Sequence, residues 1–223
     1  MTSPEQDRMR ELVLQAARAG PPARHSRRGR RLAVLSGLAA AAMVAVLYLW
    51  GGPGHAVGRP APTGAAIVAG MAALALVATW LALPPARSML GPRTTRLLAI
   101  AIGVPVLVAA WLLGWHAFYD DPNVRTGFRC FSLTLAAAPW PFVALVFASH
   151  RRDPRHPMLS GAALGAAAGA WAAVVVELWC PLADPSHVAV GHVAPLLALC
   201  GLGAFLGARL FSLRRLGAGI PGP

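Results

Sequence analysis

The side chains with the richest chemistry in this sequence are thiols, imidazoles and one carboxylate near the ends of long apolar segments. Five of them are candidates for a signal-sensing site, either redox or metal: Cys130, Glu177, Cys180, His187 and His192. Soft and borderline metals prefer thiolate and imidazole ligands, and two neighbouring thiols in an oxidising compartment can form a disulfide. No C-x-x-C or other compact ligand spacing identifies a metal. A permanent disulfide beside interfacial histidines is therefore the structural alternative.

These residues are separated by apolar segments that must set their positions. Of the 223 residues, 57% are hydrophobic and 13% are charged, and the mean hydropathy is +0.57. A helix of about 20 apolar residues spans the hydrocarbon core of a bilayer. Six segments approach that length: 32–50, 64–83, 97–115, 130–149, 158–179 and 190–211. The sequence predicts an all-α, polytopic membrane protein built as a bundle of six transmembrane helices.

Arginine determines the predicted orientation. The net charge is +12 and the sequence contains no lysine. The arginines concentrate before the first apolar segment, in the second and fourth connections and in the tail, and short Arg-rich segments stay cytoplasmic. Both termini are therefore predicted to be cytosolic, which places Cys130 and Cys180 together at the outer face. Arginine clusters beside membrane spans are typical of topology signals, so no direct nucleic-acid contact is expected.

Residues 1–31 form a predicted cytosolic segment with an amphipathic helix at about 4–19. Ser3 can cap this helix, and Gly20 followed by two prolines ends it. An apolar stripe recurs on it at helical spacing: Met9, Leu12, Val13 and Ala16. Such a stripe fits either the inner membrane surface or a groove on a cytosolic partner. A basic juxtamembrane stretch follows it, then the membrane domain, 32–211, and a cytosolic tail, 212–223.

The fifth apolar segment carries a packing motif and a costly charge. Gly161, Gly165 and Gly169 form a doubled G-x-x-x-G, which predicts close approach of another helix. Glu177 is the only carboxylate in or beside a predicted span, so it is a functional candidate. The sequence lacks the P-loop, H-E-x-x-H and G-x-S-x-G motifs. We therefore expect no catalytic residue, no enzyme activity and no cofactor.

Several features together resemble the NrsF-type membrane anti-sigma factors. They are the short N-terminal helix ending in two prolines, the basic patch, the six spans, R-C-F at the start of the fourth span and W-C-P-L at the end of the fifth. The small size and Arg/Ala-rich character also resemble the CarR type, light-responsive membrane anti-sigma factors that govern carotenoid synthesis.

The resemblance implies a bacterial inner-membrane protein that sequesters an extracytoplasmic-function sigma factor. Release would follow an envelope, light or redox signal. The resemblance further implies that the stripe of Met9, Leu12, Val13 and Ala16 docks the sigma factor. It also implies that Cys130 and Cys180 match the outer cysteine pair of the family, which is linked to signal sensing.

A protein of a different class could use the same residues. A small metal or solute transporter would bind its cargo at the outer Cys/His/Glu cluster. Such a transporter would depend little on residues 1–20, whereas the regulator would depend on them for partner binding. Dependence on the N-terminal segment therefore separates the two hypotheses.

Overall fold

The computed structural model describes residues 8, 11, 15, 24–51, 61–83, 93–116, 126–149, 154–180, 182 and 184–217. Within these ranges the chain is helical and contains no strand, in agreement with the all-α prediction. In chain order the elements are α1 (Arg24–Leu49), α2 (Ala61–Ala82), α3 (Thr94–His116), α4 (Phe128–Ala137), α5 (Pro139–Ser149), α6 (Pro157–Trp179), α7 (Pro185–Val188), a π-helical turn (Ala189–Val193) and α8 (Ala194–Gly217).

Five helical segments are long and apolar enough to cross a membrane: 61–82, 94–115, 128–149, 157–179 and 185–210. Helix α1 differs because it begins in basic sequence, and its apolar part, Val34–Leu49, is shorter. The first of the six predicted spans, 32–50, falls on that part. Large apolar side chains such as Leu76, Ile102 and Phe205 are exposed, as expected for surfaces that face lipid.

The chain divides into two units, 1–37 and 38–223, with the boundary inside α1. In the first unit the described residues, 8, 11, 15 and 24–37, are all helical. In the second unit, Met43 and Leu47 from the end of α1 belong to a buried apolar cluster with residues of α4 and α6. The site described below lies entirely within the second unit.

Helix α6 is the central element of the second unit. It packs against α2, α3, α4, α5 and α8, and nearly every residue between Gly161 and Glu177 is buried. Alanine and glycine make up most of this stretch, so neighbouring helices approach its backbone closely. Within a bilayer such van der Waals packing, rather than the hydrophobic effect, drives helix association. The largest side chain of the stretch, Trp171, donates its indole N–H to Thr79 Oγ1 of α2 at 3.0 Å.

Prolines interrupt the fourth and last spans. Pro139 has no backbone N–H to donate to the carbonyl of Leu135, and the fourth span is divided at Ala138 into α4 and α5. In the last span the five residues Ala189–Val193 widen into a π-helical turn just before Pro195. A proline ring crowds the carbonyl four residues earlier in an α-helix, and a wider turn relieves that contact.

Candidate functional site

Three separate parts of the chain meet at one end of the bundle, called the site end below. Cys130 lies in the first turn of α4, and Cys180 follows the last residue of α6. His187 belongs to α7 and His192 to the π-helical turn. Their ligand atoms, two sulfurs and two nitrogens, all lie within 4.8 Å of one another, and all four side chains are buried. The fold thus gathers soft ligands that are far apart in the sequence.

His187 lies between the two thiols. Its Nε2 is 3.1 Å from Cys180 Sγ and 3.4 Å from Cys130 Sγ. The short helix α7 sets its backbone, because the capping side chain of Asp184 accepts the N–H groups of Ser186 at 3.0 Å and of His187 at 3.1 Å. The D-P-S sequence favours this cap, since Asp is a preferred N-cap and proline fits the first helical position.

His192 is paired with Glu177. The Nδ1 of the imidazole is 3.1 Å from the carboxylate Oε1, and both side chains are at most 1% exposed. Glu177 precedes Cys180 by three residues, so the two lie on the same face of α6. His192 Nε2 is buried, and the His192 side chain also interacts with the thiol of Cys180. The ring of His192 lies 5.5 Å from the ring of His187, so the Nε2 atom of His192 lies beside the other ligand atoms of the cluster.

A close contact between two glycines holds α4 against the π-helical turn. Gly127 caps α4, and a Cβ added there would lie 2.5 Å from the backbone nitrogen of Gly191 and 2.8 Å from the carbonyl oxygen of His187. A Cβ added to Gly191 would lie 3.1 Å from Cys130 Cβ. Gly127 has no room for a side chain, and at Gly191 a Cβ would fit only if its neighbours moved by a few tenths of an ångström. This contact is what brings Cys130 within reach of the histidines.

Apolar side chains enclose the site. Leu133, Val176 and Leu182 pack with the two cysteines in one buried cluster. A hydrogen bond that the Cys180 thiol donates to Cys130, together with burial, raises the pKa of Cys180 to about 12. A thiol with such a pKa is protonated at neutral pH and is a weak nucleophile. The cluster is therefore an enclosed set of ligands rather than an exposed reactive thiol.

The structure brings together all five residues of the predicted sensing site. The predicted packing glycines lie against α8, where a Cβ on Gly161 would meet the backbone of Gly203 and a Cβ on Gly165 would meet that of Leu199. A Cβ on Gly169 would meet the Leu196 side chain at 3.2 Å. The predicted sigma-binding residues lie outside the described part of the chain: Met9, Leu12, Val13 and Ala16.

Three positions that shape the site were not predicted to do so. The capping action of Asp184 was readable from the following proline and serine, which form a helix-start signal. The contact of Gly127 with Gly191 had no comparable signal, because it joins positions that only the folded topology brings together.

A comparison with known families connects this site to a class of protein. The model of the family described as "Negative regulator of sigma F" (NrsF) matches residues 16–212. The chain belongs to the NrsF family. The matched range of this NrsF chain includes all five site residues, whereas Met9, Leu12 and Val13 precede it. No curated protein and no solved structure matches the chain.

Membership of the NrsF family confirms the resemblance seen in the sequence. The family description names negative regulation of a sigma factor, which indicates a regulator with a sigma factor as its target rather than an enzyme. The five segments able to cross a membrane indicate that this NrsF chain is a membrane protein.

Proposed function

We propose that this protein holds an extracytoplasmic-function sigma factor inactive at the bacterial inner membrane and releases it when a signal reaches the site end. The observation that carries the proposal is the buried group of two thiols, two imidazoles and a carboxylate at one end of a bundle with membrane-spanning segments. Ionisable groups within or beside membrane spans are costly and mark function. Family membership supplies the sigma factor as the target.

The arginine distribution supports a site end that faces outward. Arg93 and Arg96 lie at the start of α3, and Arg155 lies just before α6. Following the helices along the chain, these starts lie at the end of the bundle opposite to Cys130 and Cys180. Because basic residues beside spans stay cytoplasmic, the cluster is proposed to face the periplasmic side and both termini the cytosol.

The N-terminal segment supplies the proposed sigma-binding surface. Its apolar stripe, Met9, Leu12, Val13 and Ala16, recurs at the spacing of one helix face in the sequence. Three polar residues next to the stripe positions, Arg8, Glu11 and Gln15, are helical and exposed. An amphipathic helix of this kind docks its apolar face into a groove on a partner. The stripe therefore supports a protein partner in the cytosol.

Metal binding at the cluster would be strong enough to operate a switch fully, whereas a disulfide would shift the equilibrium only part of the way. Moving a two-state equilibrium from 1:99 to 99:1 requires about 5.5 kcal/mol of differential binding. A disulfide typically contributes about 2–4 kcal/mol, and a structural zinc ion contributes about 10–16 kcal/mol in small zinc-binding domains. A disulfide between Cys130 and Cys180 would link α4 to the end of α6. A metal ion bound also to His187 would link both of them to the last span. We propose that the resulting shift between the two states of the bundle changes how the N-terminal segment binds the sigma factor.

The buried polar residues favour a regulator over a transporter. Among the residues that the structure describes they are Thr134, Ser149, Glu177, His187 and His192. All except Ser149 lie at or within two turns of the site end. Conduction of an ion through the bundle needs further polar groups along its length, and among the described residues no fully buried polar or charged side chain lies between Thr134 and Ser149.

A light response and control of carotenoid synthesis, which the CarR likeness implies, stay predictions. Illumination of cells that carry a reporter for the released sigma factor tests them. Reporter output that is the same in light and darkness would leave the chemical signals at the cluster as the remaining candidates.

Sequestration is tested by purifying the full chain in detergent and using it to capture proteins from a cytosolic extract. We expect recovery of a sigma factor and its loss in Leu12→Asp, because a charge in the apolar stripe prevents docking. Gln15→Asp is the matched control, since Gln15 is exposed on the same segment and the same charge is introduced. Equal recovery by both variants would move the binding surface away from the stripe, and no sigma factor in any sample would contradict sequestration.

Signal sensing is tested separately in cells with a reporter for the released sigma factor. We expect Cys130→Ser and Cys180→Ser to abolish the response to inducing metal or oxidant. Cys200→Ser is the matched control, because Cys200 lies in α8 outside the cluster and contacts the carbonyl of Ala101. An unchanged response in the double variant of Cys130 and Cys180 would exclude the cluster as the sensor.

A further inference from the structure

The positions of the four ligand atoms match the dimensions of one kind of metal site. Zn–S bonds of about 2.3 Å and Zn–N bonds of about 2.0–2.1 Å give a tetrahedron with edges of about 3.3–3.8 Å. The two measured sulfur–nitrogen separations, from His187 Nε2 to Cys180 Sγ and to Cys130 Sγ, are 3.1 and 3.4 Å. No pair among the four ligand atoms is further apart than 4.8 Å. Closing the tetrahedron therefore requires these separations to change by at most about 1.5 Å.

The donor set selects the class of ion. Two sulfurs and two imidazole nitrogens in a tetrahedral arrangement suit zinc, whereas magnesium and calcium require oxygen ligands. All four ligand residues are buried, and the cysteines are packed among apolar side chains. An ion with four protein ligands in such surroundings has no open position for water or substrate. The site is thus of the closed kind that binds an ion without catalysing a reaction on it.

Glu177 has the position of an outer partner to this set. Its Oε1 is 3.1 Å from His192 Nδ1, on the side of the ring away from Nε2. A metal-binding histidine almost always has its second nitrogen held by a carboxylate or carbonyl, which fixes the ring and raises its basicity. The His192 side chain is buried and also interacts with the Cys180 thiol, so its Nε2 is placed to be a ligand atom.

We propose that Cys130, Cys180, His187 and His192 bind one divalent ion of the zinc class, with Glu177 as the positioning residue of His192. Binding exchanges the two thiol protons for the ion, so the two sulfurs enter as thiolates and the imidazoles as neutral ligands. The ion links α4, α6 and the last span at the site end. This inference rests on the proposed function in one respect: the ion is either the signal itself or the bound group on which the signal acts.

The test uses the full chain, purified in detergent and kept reduced without oxygen. Zinc is titrated against a chromophoric chelator, and Co²⁺ is used as a spectroscopic probe of tetrahedral thiolate ligation. We expect one ion per chain and cobalt bands typical of a tetrahedral site with sulfur ligands. Single replacements of the ligands, Cys130→Ser, Cys180→Ser, His187→Gln and His192→Gln, are each expected to weaken binding more than about 100-fold, beyond what an outer-shell partner contributes.

Cys200→Ser and His156→Gln are the matched controls, because Cys200 belongs to α8 and His156 is exposed before α6. Both are expected to keep the affinity of the parent. Circular dichroism and size-exclusion chromatography of every variant check that the helical fold is retained.

A graded series at Glu177 separates positioning from a merely structural action. Glu177→Leu removes the acceptor and is expected to weaken zinc binding about 10–100-fold with one ion still bound. Glu177→Gln keeps an oxygen acceptor, so its affinity is expected to lie between those of Leu and the parent, with shifted cobalt bands. Equal affinity in all three would overturn the positioning action of Glu177.

Failure of the reduced parent to bind zinc or cobalt stoichiometrically would overturn the metal site itself. The same preparation is used to capture the sigma factor from a cytosolic extract. Capture of the sigma factor without metal binding would reject this inference and leave sequestration standing. Metal binding without capture would reject sequestration and leave the metal site standing.

Discussion

Helix α6 meets the last membrane span at both of its ends, with different chemistry at each. At the glycine end, Gly161 and Gly165 of α6 lie against Gly203 and Gly207 of α8, backbone to backbone. At the site end, Glu177 and Cys180 meet His192 and His187 through charged and liganding atoms. One contact depends on the absence of side chains, and the other on which side chains are present.

The difference shows how one helix pair can be fixed and responsive together. Glycine contacts have no protonation or oxidation state, so a change of pH, redox potential or metal concentration does not act on the glycine end directly. The site end contains groups that can bind a metal or lose protons, and their burial is costly unless they stay paired. A change in metal binding or in protonation therefore acts directly on the site end of this helix pair and not on the glycine end.

The largest expected effect comes from filling the glycine end. In Gly161→Val the new side chain would meet the backbone of Gly203 and Gly207, which cannot move aside as a side chain can. We expect a loss of about 3 kcal/mol or more in the free energy of unfolding, the upper end of the range for overpacking. Unfolding of the purified chain in detergent measures it. Gly201→Ala is the control, because a Cβ there meets nothing within 4 Å. Similar losses in both would show that the glycine contact is unimportant.

A smaller effect is expected where a glycine contact supports the site end. Gly127→Ala places a Cβ 2.5 Å from the Gly191 nitrogen, so α4 must shift and carry Cys130 away from His187. We expect about 1–3 kcal/mol of destabilisation. Weakened zinc binding would accompany it. Gly191→Ala is expected to be milder, since its nearest contact is 3.0 Å. The reverse order of the two variants, in both unfolding and metal titration, would contradict this account of the contact.

The enclosed cysteines are expected to react slowly. The pKa of Cys180 is raised from 9.0 to about 12. Below pH 9 its thiolate fraction is therefore about three orders of magnitude smaller than that of an ordinary cysteine with a pKa of 9.0. At pH 7.5 we expect alkylation of Cys180 in the native protein to be slow, and to become fast after denaturation in dodecyl sulfate. Mass spectrometry of peptides from timed samples measures both rates. Equal rates in native and denatured protein would show that the site end is open to solvent.

The smallest effect is expected midway between the two ends. Trp171→Phe removes the hydrogen bond to Thr79 while keeping most of the ring volume. Interhelical hydrogen bonds in membranes contribute about 0.6 kcal/mol on average and at most about 1.7. A double-mutant cycle with Thr79→Val isolates this contribution in unfolding experiments. Trp140→Phe, at an exposed indole, is the control and is expected to change little. A coupling energy near zero would remove this contact from the account of α6 packing.

Much of the helical architecture was readable because it rests on local signals. Apolar length predicted the spans, and the G-x-x-x-G pattern singled out the residues that lie against α8. The breaks in the fourth and last spans lie beside Pro139 and Pro195, where proline removes a backbone donor and crowds the preceding turn. The wide turn itself was not predicted, because a proline can be accommodated by a kink, a break or a π-helical turn.

The site was predictable in its members but less so in its geometry. Thiols and imidazoles near span ends indicated Cys130, Cys180, His187 and His192, because the predicted topology places these span ends on one side of the membrane. The pairing of Glu177 with His192 was not predicted. It depends on the rotation of the last span against α6, which no local pattern specifies.

The π-helical turn has a consequence for the angular phase of the two histidines. Five residues of regular α-helix rotate by about 500°, which would leave His187 and His192 about 140° apart around the axis. The wider turn lowers the rotation per residue and brings both rings toward the cysteines. Deleting one residue between the two histidines would place them four positions apart, about 40° around a regular α-helix, so both would stay on one face while every later residue of the span turned by about 100° relative to them. The position of the two imidazoles beside the cysteines therefore depends on the helical pitch of the last span as well as on the presence of His187 and His192 in the sequence.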